Sequence, residues 1–439
     1  MSSWTSVYNN KKRSVEEAIL SLPKRCTVVV GLAAMEAQGL LSNLHKFRDN
    51  FEYIKVLTCL NMKDYPFISS KDSEGILENH TWFMSVPTRN ARDSGLKTVD
   101  YIPNNLHMSS TDKFVSEKED GNKIVFWGTV TPMNEVSGFM SLGLSNVYEM
   151  DILEKADYTV LEVNDKVPWT HGETQVHIAQ ADVVTESSWA IPDLSVVEPA
   201  QTEIQIAQYI ADLVRDGSTV QIGIGGIPNA VAKLLKNKKD LGVHTEMFTE
   251  SMIELFENGI INNSKKSLWR GKFVCAFALG SQNMYRWIDN NPGVWIMRGS
   301  YVNDPFVIAK NDNMVSINTA IAVDLTGQVC SESLGVKQFS GSGGQLDTHR
   351  GAVKSKDGKG IIALRATAKK GTLSTIVPMH SPGSVVTVPR HDVDYVVTEF
   401  GVAHLRGKSV AQRVKALVNI AHPDFREQLL KQSYDLGYL

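Results

Sequence analysis

A chain of 439 residues, 42% hydrophobic and 21% charged with a formal net charge of −3, has material for more than one hydrophobic core. This near-neutral balance gives no electrostatic reason to expect nucleic acid or an anionic membrane surface, and no apolar run is long enough to span a bilayer. The four cysteines, Cys26, Cys59, Cys275 and Cys330, lie in or beside apolar runs without paired spacing. That argues against a disulfide framework or a metal site and for a reducing compartment, read as the cytoplasm. The polar N-terminus carries Lys11, Lys12 and Arg13 but no following apolar stretch of the kind a signal sequence needs.

In chain order, Ser14 to Leu22 has helical spacing and leads into Thr27-Val-Val-Val-Gly31, a β-branched run that ends in glycine. The same layout returns where a helix from Gln201 to Val214 leads into Thr219-Val-Gln-Ile-Gly223. The repeat predicts two tandem open α/β domains rather than one large sheet. Ser-Ser-Trp-Ala-Ile-Pro and Val-Val-Glu-Pro interrupt the periodicity between Ser187 and Pro199, so domains are expected over residues 1–187 and 200–439. In the first half the loop carries Ala33 and Ala34, whose methyl groups keep the backbone from a phosphate. The second loop is the better cofactor site.

That second loop, Gly223-Ile-Gly-Gly-Ile-Pro-Asn-Ala-Val231, is a strand-to-helix turn, with Pro228 where a first helical residue belongs. Such a turn aims backbone N–H groups at an anionic ligand, and Glu246 follows where the next strand should end. The pair suggests a carboxylate working on a bound cofactor. Gly223-x-Gly225 with a downstream acidic residue also resembles the start of a dinucleotide fingerprint, but Pro228 occupies the third-glycine position, where close helix packing wants no side chain.

Alternation continues with a helix from Glu250, a strand over Phe273 to Leu279, a helix from Gln282 and a strand over Val294 to Met297. Met314 to Leu325, Ile361 to Leu364, Val385 to Val388 and Tyr395 to Thr398 then read as closely spaced strands of a mixed sheet. Gly341-Ser-Gly-Gly344, followed by Gln345, is either a second N–H-donating turn or an ordinary hairpin connection. Ser409 to Ile420 and Asp424 to Leu430 read as two surface helices separated by Pro423.

Several ordered segments carry a resemblance that spans nearly the whole chain. They are Glu162-Val-Asn-Asp, Thr170-His-Gly, Gly223-Ile-Gly-Gly-Ile-Pro-Asn-Ala, His244-Thr-Glu-Met, Ile317-Asn-Thr-Ala, Gly341-Ser-Gly-Gly, His391-Asp-Val-Asp-Tyr-Val-Val-Thr-Glu-Phe-Gly401 and Leu405-Arg-Gly. The chain resembles the acetyl-CoA hydrolase/transferase family of CoA-transferases, in the branch with 4-hydroxybutyrate and butyryl-CoA:acetate CoA-transferases. The resemblance implies two open α/β domains of the CoA-transferase fold with the active site in the cleft between them. It further implies acyl-CoA and small carboxylic acids as substrates, coenzyme A as co-substrate, no metal, and a homodimer or larger homo-oligomer.

Carried over by residue, the resemblance makes Glu246 a nucleophile that passes through a glutamyl-CoA thioester with ping-pong kinetics. It gives Gly344 a backbone oxyanion donor, Asn303 a substrate-contacting amide and Glu399 a second carboxylate of the same site. By residue type alone, Asn303 reads as a helix cap before Asp304-Pro305, and Glu399 as a solvated strand end. For CoA the resemblance points to Gly223, Ile224, Gly225, Gly226, Ile227, Gly344 and Lys369, with Lys370 beside it either the alternative to Lys369 or a solvated neighbour. His244 and His171 are read as structural or orienting, because the anhydride route abstracts no proton from the nucleophile.

One departure bears on substrate. Where relatives carry Gly-Glu-Pro after the first strand, this chain has Met35-Glu36-Ala37, so Met35 and Glu36 are taken as acyl-pocket residues. A bulky Met35 would narrow that pocket, against an alternative of ordinary core packing. Narrowing would favour acetate, butyrate, succinate or itaconate over 4-hydroxybutyrate. By charge alone, Arg89 and Arg92 are candidates to pair a second carboxylate. The alternative functions are an acyl-CoA hydrolase using the same glutamate, a CoA- or nucleotide-binding protein without catalysis, and a dinucleotide-binding oxidoreductase.

Overall fold

The computed structural model describes residues 3–194 and 198–439, so residues 195–197 of the expected linker lie outside the described residues. The chain divides into two compact units. One holds the residues up to Leu194 together with Cys275–Tyr301, and the other holds the stretch ending at Val274 together with Val302–Leu439. Among the described residues no helix is long and apolar enough to cross a membrane, and all four cysteines are buried and form no disulfide.

The first unit is built on a seven-stranded sheet in the order Val183–Glu186, Tyr158–Val163, Lys123–Val130, Arg25–Val30, Tyr53–Thr58, Leu77–Thr81, Val99–Tyr101. All its pairings are parallel. Residues Cys26 to Val30 are buried without alternation, as expected of a parallel strand covered on both faces. Val28, Val56, Val125, Trp127, Leu40 and Phe67 share its core. Burial of each such side chain contributes roughly 1.5–3 kcal/mol. The leading helix, Val15–Leu20, starts at Ser14 because Ser14 and Glu17 form a reciprocal capping box.

The earliest strand, Arg25–Val30, stands in the middle of this sheet. The next strands add outward on one side, and the chain then returns to add the rest on the other. The loop after Val30 therefore opens where the strand order reverses, the place where open α/β sheets leave a crevice beyond their carboxyl ends.

The second unit repeats the plan. Its strands run in the order Gly401–His404, Tyr395–Thr398, Lys359–Ala363, Met314–Thr319, Thr219–Ile222, Gly242–Phe248. Thr219–Ile222 pairs in parallel with Gly242–Phe248 on one side and Met314–Thr319 on the other, so the order reverses at the loop that begins with Gly223. The internal repeat read from Thr27 and Thr219 thus corresponds to two strands with the same topological place.

The sheet is mixed, because Tyr395–Thr398 and Gly401–His404 pair antiparallel. Two details differ from expectation, and one open alternative is decided. Met314 to Leu325 breaks into Met314–Thr319 and Ala322–Asp324. Val385 to Val388 is no strand: Pro382 and Pro389 bracket it, Val385 and Val386 are exposed, and only Val388 bridges to Val329. Gly341 to Gly344 leads into the helix Gln345–Lys354 and is not a hairpin connection. The last two helices, Val410–Ile420 and Pro423–Asp435, bury Val414, Leu417 and Leu429, so each has a core-facing side. Pro423 opens the second of them at a position where its missing N–H has no partner to lose.

Candidate active site

Side chains two apart on a strand share a face, which puts His244 and Glu246 together on Gly242–Phe248. His244 is fully enclosed, and its Nε2 lies 2.8 Å from the Val302 carbonyl. Burial, helped by the Lys266 charge, pushes its pKa down to about 3, so the ring is neutral and donates to that carbonyl. The next residue, Asn303, is completely buried and donates from Nδ2 to Glu246 Oε2 at 2.8 Å. His244 thereby anchors the backbone beside Asn303.

The capping role belongs one position further on. Asp304 accepts the Phe306 N–H at 2.8 Å and starts the turn Pro305–Ile308, which leaves Asn303 free to face Glu246. A second donor to the Glu246 carboxylate is the Gly344 backbone N–H, at the N-terminus of the helix Gln345–Lys354. A β-carbon on residue 344 would lie 1.9 Å from Glu246 Oε2 and 2.0 Å from Asn303 Nδ2, so the approach requires glycine.

Glu246 is half-buried, and the desolvation of its carboxylate raises its pKa to about 7, against the opposing pull of Asn303 and Gly344. Asp347, buried in the first turn of the same helix, adds to the rise. Sequence reading missed Asp347. The Gly341 to Gly344 turn signalled a ligand-facing loop, but nothing in the spacing showed that the helix after it turns a carboxylate toward Glu246.

The glycine loop is also in place. Gly225 takes φ 112, a left-handed conformation in open space, and Ile224 is exposed while Ile227 is buried. The helix begins at Gly226, so Pro228 is its third residue and not its first. That is tolerated because the N–H groups of a first turn have no intrahelical acceptor. Glu203 lies beneath this N-terminus, close enough that a β-carbon at Gly226 would meet its carboxylate at 2.1 Å. It accepts the Ala200 N–H at 2.8 Å and pairs with Arg365 at 2.7 Å.

Glu399 is half-buried and accepts the Ala366 N–H at 2.8 Å, so it is not a solvated strand end. Its partner is Ala366 and not Glu246. Adjacent residues 365 and 366 thus connect Glu399 to the glycine-loop neighbourhood. Lys369 and Lys370 are exposed in the tight turn between Thr367–Ala368 and Leu373–Ser374, both at positive φ.

In the first unit, the order-reversal loop carries Met35 and Glu36, both buried. Three enclosed carboxylates hold it. Glu149 accepts the Leu32 N–H at 2.9 Å. Glu162 accepts the N–H groups of Gly39 and Leu40 at 2.7 and 3.3 Å. Glu36 itself accepts from Asn61, the Met62 N–H and the Tyr65 hydroxyl, at 3.0, 3.1 and 3.0 Å, and burial lifts its pKa to about 8. The Met35 sulfur packs close to Gly143. Arg92 pairs with Asp93 at 3.0 Å and Arg89 donates to the Met84 carbonyl, so both have local partners. His171 contacts Asn290 at 3.1 Å.

Doubly wound, largely parallel sheets, with a glycine turn at the order reversal and a half-buried carboxylate on the neighbouring strand, place the protein in the class of open α/β enzymes. More narrowly, residues 2–194 match the acetyl-CoA hydrolase/transferase N-terminal domain and residues 280–433 its C-terminal domain; the chain belongs to that family. It is 40% identical over 429 residues to the 4-hydroxybutyrate coenzyme A transferase of Clostridium kluyveri, covering 98% of each chain. It is 44% identical over 365 residues to the succinyl-CoA:cyclohexane-1-carboxylate CoA transferase of Geobacter metallireducens, covering 83% of this chain and 82% of that one. The crystal structure of RipA from Yersinia pestis superposes with a TM-score of 0.92 at 35% identity, covering 100% of both chains.

Proposed function

We propose that the protein is an acyl-CoA:carboxylate CoA-transferase that moves CoA between short-chain acids through a thioester on Glu246. The observation that carries the reading is the Glu246 carboxylate held by Asn303 and the Gly344 N–H, in a family whose similar members are named CoA-transferases. A Glu246 oxygen attacks the thioester carbonyl, a C–O bond forms, and the C–S bond breaks to release CoA thiolate. The thiolate then attacks the glutamyl carbonyl of the mixed anhydride and expels the first acid as its carboxylate. An incoming acid runs the steps in reverse, so thioester energy passes between acids without ATP. Each tetrahedral step puts negative charge on oxygen, where a fixed N–H donor contributes about 3 kcal/mol. The glycine loop and Lys369 are assigned to CoA phosphates, and Glu399 to the wall of that site.

The test is mass spectrometry of enzyme quenched after mixing with acyl-CoA and no acceptor. The peptide containing Glu246 should gain the mass of CoA less water. Turnover that leaves this peptide unmodified refutes the thioester. A hydrolase would release free CoA without an acceptor acid, whereas a transferase holds it until one arrives. The cytoplasmic setting and the homo-oligomer belong to the same proposal, and light scattering of the purified protein checks the latter.

Ionisation of the nucleophile sets the pH dependence. The attacking form is the carboxylate, so its fraction rises with pH through about 7. The expected kcat/KM for acyl-CoA falls tenfold per pH unit on the acid side of that midpoint, as one proton binds. A profile flat from about pH 5.5 to 8.5 would contradict the desolvated carboxylate as the group that reacts.

Met35 and Glu36 are assigned to the acyl side, on the strength of their loop's place at the order reversal of the first unit. Met35→Gly removes a thioether without touching Glu36 or the carboxylates that hold the loop. The expected result is a several-fold gain in kcat/KM for bulkier acceptors relative to acetate. An unchanged acceptor ranking would return Met35 to core packing.

A further inference from the structure

At the opposite edge of the second unit's sheet lies a cavity of about 400 Å³, lined by Arg215, Asp357, Gly358, Lys359, Asp394, Tyr395, His404, Arg406 and Gly407. Lys359 and Tyr395 open their parallel strands, so this is the amino-terminal edge. Gly223 and Glu246 lie toward the carboxyl ends: Thr219 is in register with Gly242, and Glu246 is four residues further along its strand, about 13 Å at strand rise. Asp394, Tyr395, Arg406 and Gly407 fall in two of the resemblance segments, but neither Glu246, Asn303, Gly344 nor the glycine loop lines this cavity.

Its lining sets three cations, Arg215, Lys359 and Arg406, against two carboxylates, Asp357 and Asp394. Arg215 and Lys359 have no ion-pair or hydrogen-bond partner for their side chains among the described residues, and Arg406 gives one N–H to the Val353 carbonyl at 3.0 Å. On the acidic side, Asp394 is engaged with His404 at 3.1 Å and with the Gly360 N–H at 3.2 Å, and Asp357 is exposed at the rim. Burial, and then the nearby Arg215 charge, depress the Lys359 pKa, against the opposing pull of Asp394 and Asp357. Tyr395 and His404 stack with ring centroids 4.5 Å apart and planes 17° apart, forming a flat wall.

The geometry points to a binding site for a phosphate group, free or carried by a small molecule, formed by Arg215, Lys359 and Arg406 at the amino-terminal edge of this sheet. A dianion would give Arg215 and Lys359 the direct ion pair that neither Asp357 nor Asp394 makes with them. Guanidinium groups suit the tetrahedral oxygens, and the cavity has room for a group attached to them. The stacked Tyr395–His404 wall supplies a flat surface for a ring on that group.

The site is tested on the full-length protein saturated with CoA, so that the glycine loop cannot contribute. Isothermal titration with inorganic phosphate is expected to show saturable binding. Arg215→Gln and Lys359→Gln, made separately, should each weaken it by at least about tenfold, while Lys238→Gln, on a half-buried residue outside the cavity, should not. Adenosine monophosphate distinguishes the sources: tighter binding than phosphate, lost in the same variants, assigns the site to a nucleotide, and equal binding assigns it to phosphate alone. No saturable binding by the wild type, or unchanged binding in both variants, overturns the assignment.

Discussion

Glu246→Gln is expected to lower CoA transfer by at least about 10³-fold while acyl-CoA still binds, because an amide cannot open the covalent route yet occupies nearly the same space. The substitution keeps an oxygen for Asn303 and Gly344, so the donors that hold the side chain retain an acceptor. It also removes a titrating group that folding holds protonated. The folded pKa of about 7 lies above the usual 4.5, so the wild type loses stability as pH rises from the lower value through the higher one. The variant should therefore be at least as stable as the wild type above pH 7, which separates lost chemistry from lost folding. Activity within about tenfold of wild type, or a CoA adduct persisting on the variant, would end the assignment.

Gly344→Ala is expected to reduce kcat by about 10²–10³-fold with little change in thermal stability. At φ −96 this residue is outside the left-handed region, so alanine is allowed by the backbone and the effect comes from space alone. The new methyl would stand 1.9 Å from Glu246 Oε2 and 2.0 Å from Asn303 Nδ2, and their hydrogen bond cannot survive at that separation. Displacing Asn303 removes a donor that favours the ionised carboxylate, so the acid limb of the pH profile should also move upward. Wild-type kcat with an unshifted limb would show Gly344 to be an ordinary turn residue.

The elements that local pattern could announce were those with strong punctuation. The β-branched runs ending at Gly31 and Gly223 became the middle strands of their sheets, and Ser14 and Ser409 cap helices through partners three residues on. Apolar content misled at Val385 to Val388, where flanking prolines and exposure outweigh β-branching. Pro228 was placed too early because proline is acceptable anywhere in a first turn, so its presence marks the turn but not the starting residue.

In the site, Glu246 and the glycine loop were legible because a strand end and a strand-to-helix turn are local events. What surrounds Glu246 was not. Asn303 looks like a cap beside Asp304-Pro305, and only the contact of Val302 with His244 shows why it turns inward. Asp347 and Glu203 gave no signal, since an acidic residue in a first helical turn is favoured by the helix dipole whether or not it faces a ligand.

The sequence by itself determined the periodic elements, the two-fold repetition of their plan and the family resemblance, all of which follow from short-range spacing. The tertiary structure decided which carboxylate is desolvated, which donors reach it, and where Arg215, Lys359 and Arg406 collect. Those depend on strand order, which brings residues 246, 303 and 344 together across long stretches of chain. Local periodicity carries no record of strand order, and burial, the main cause of the shift at Glu246, arises only once the sheet has assembled.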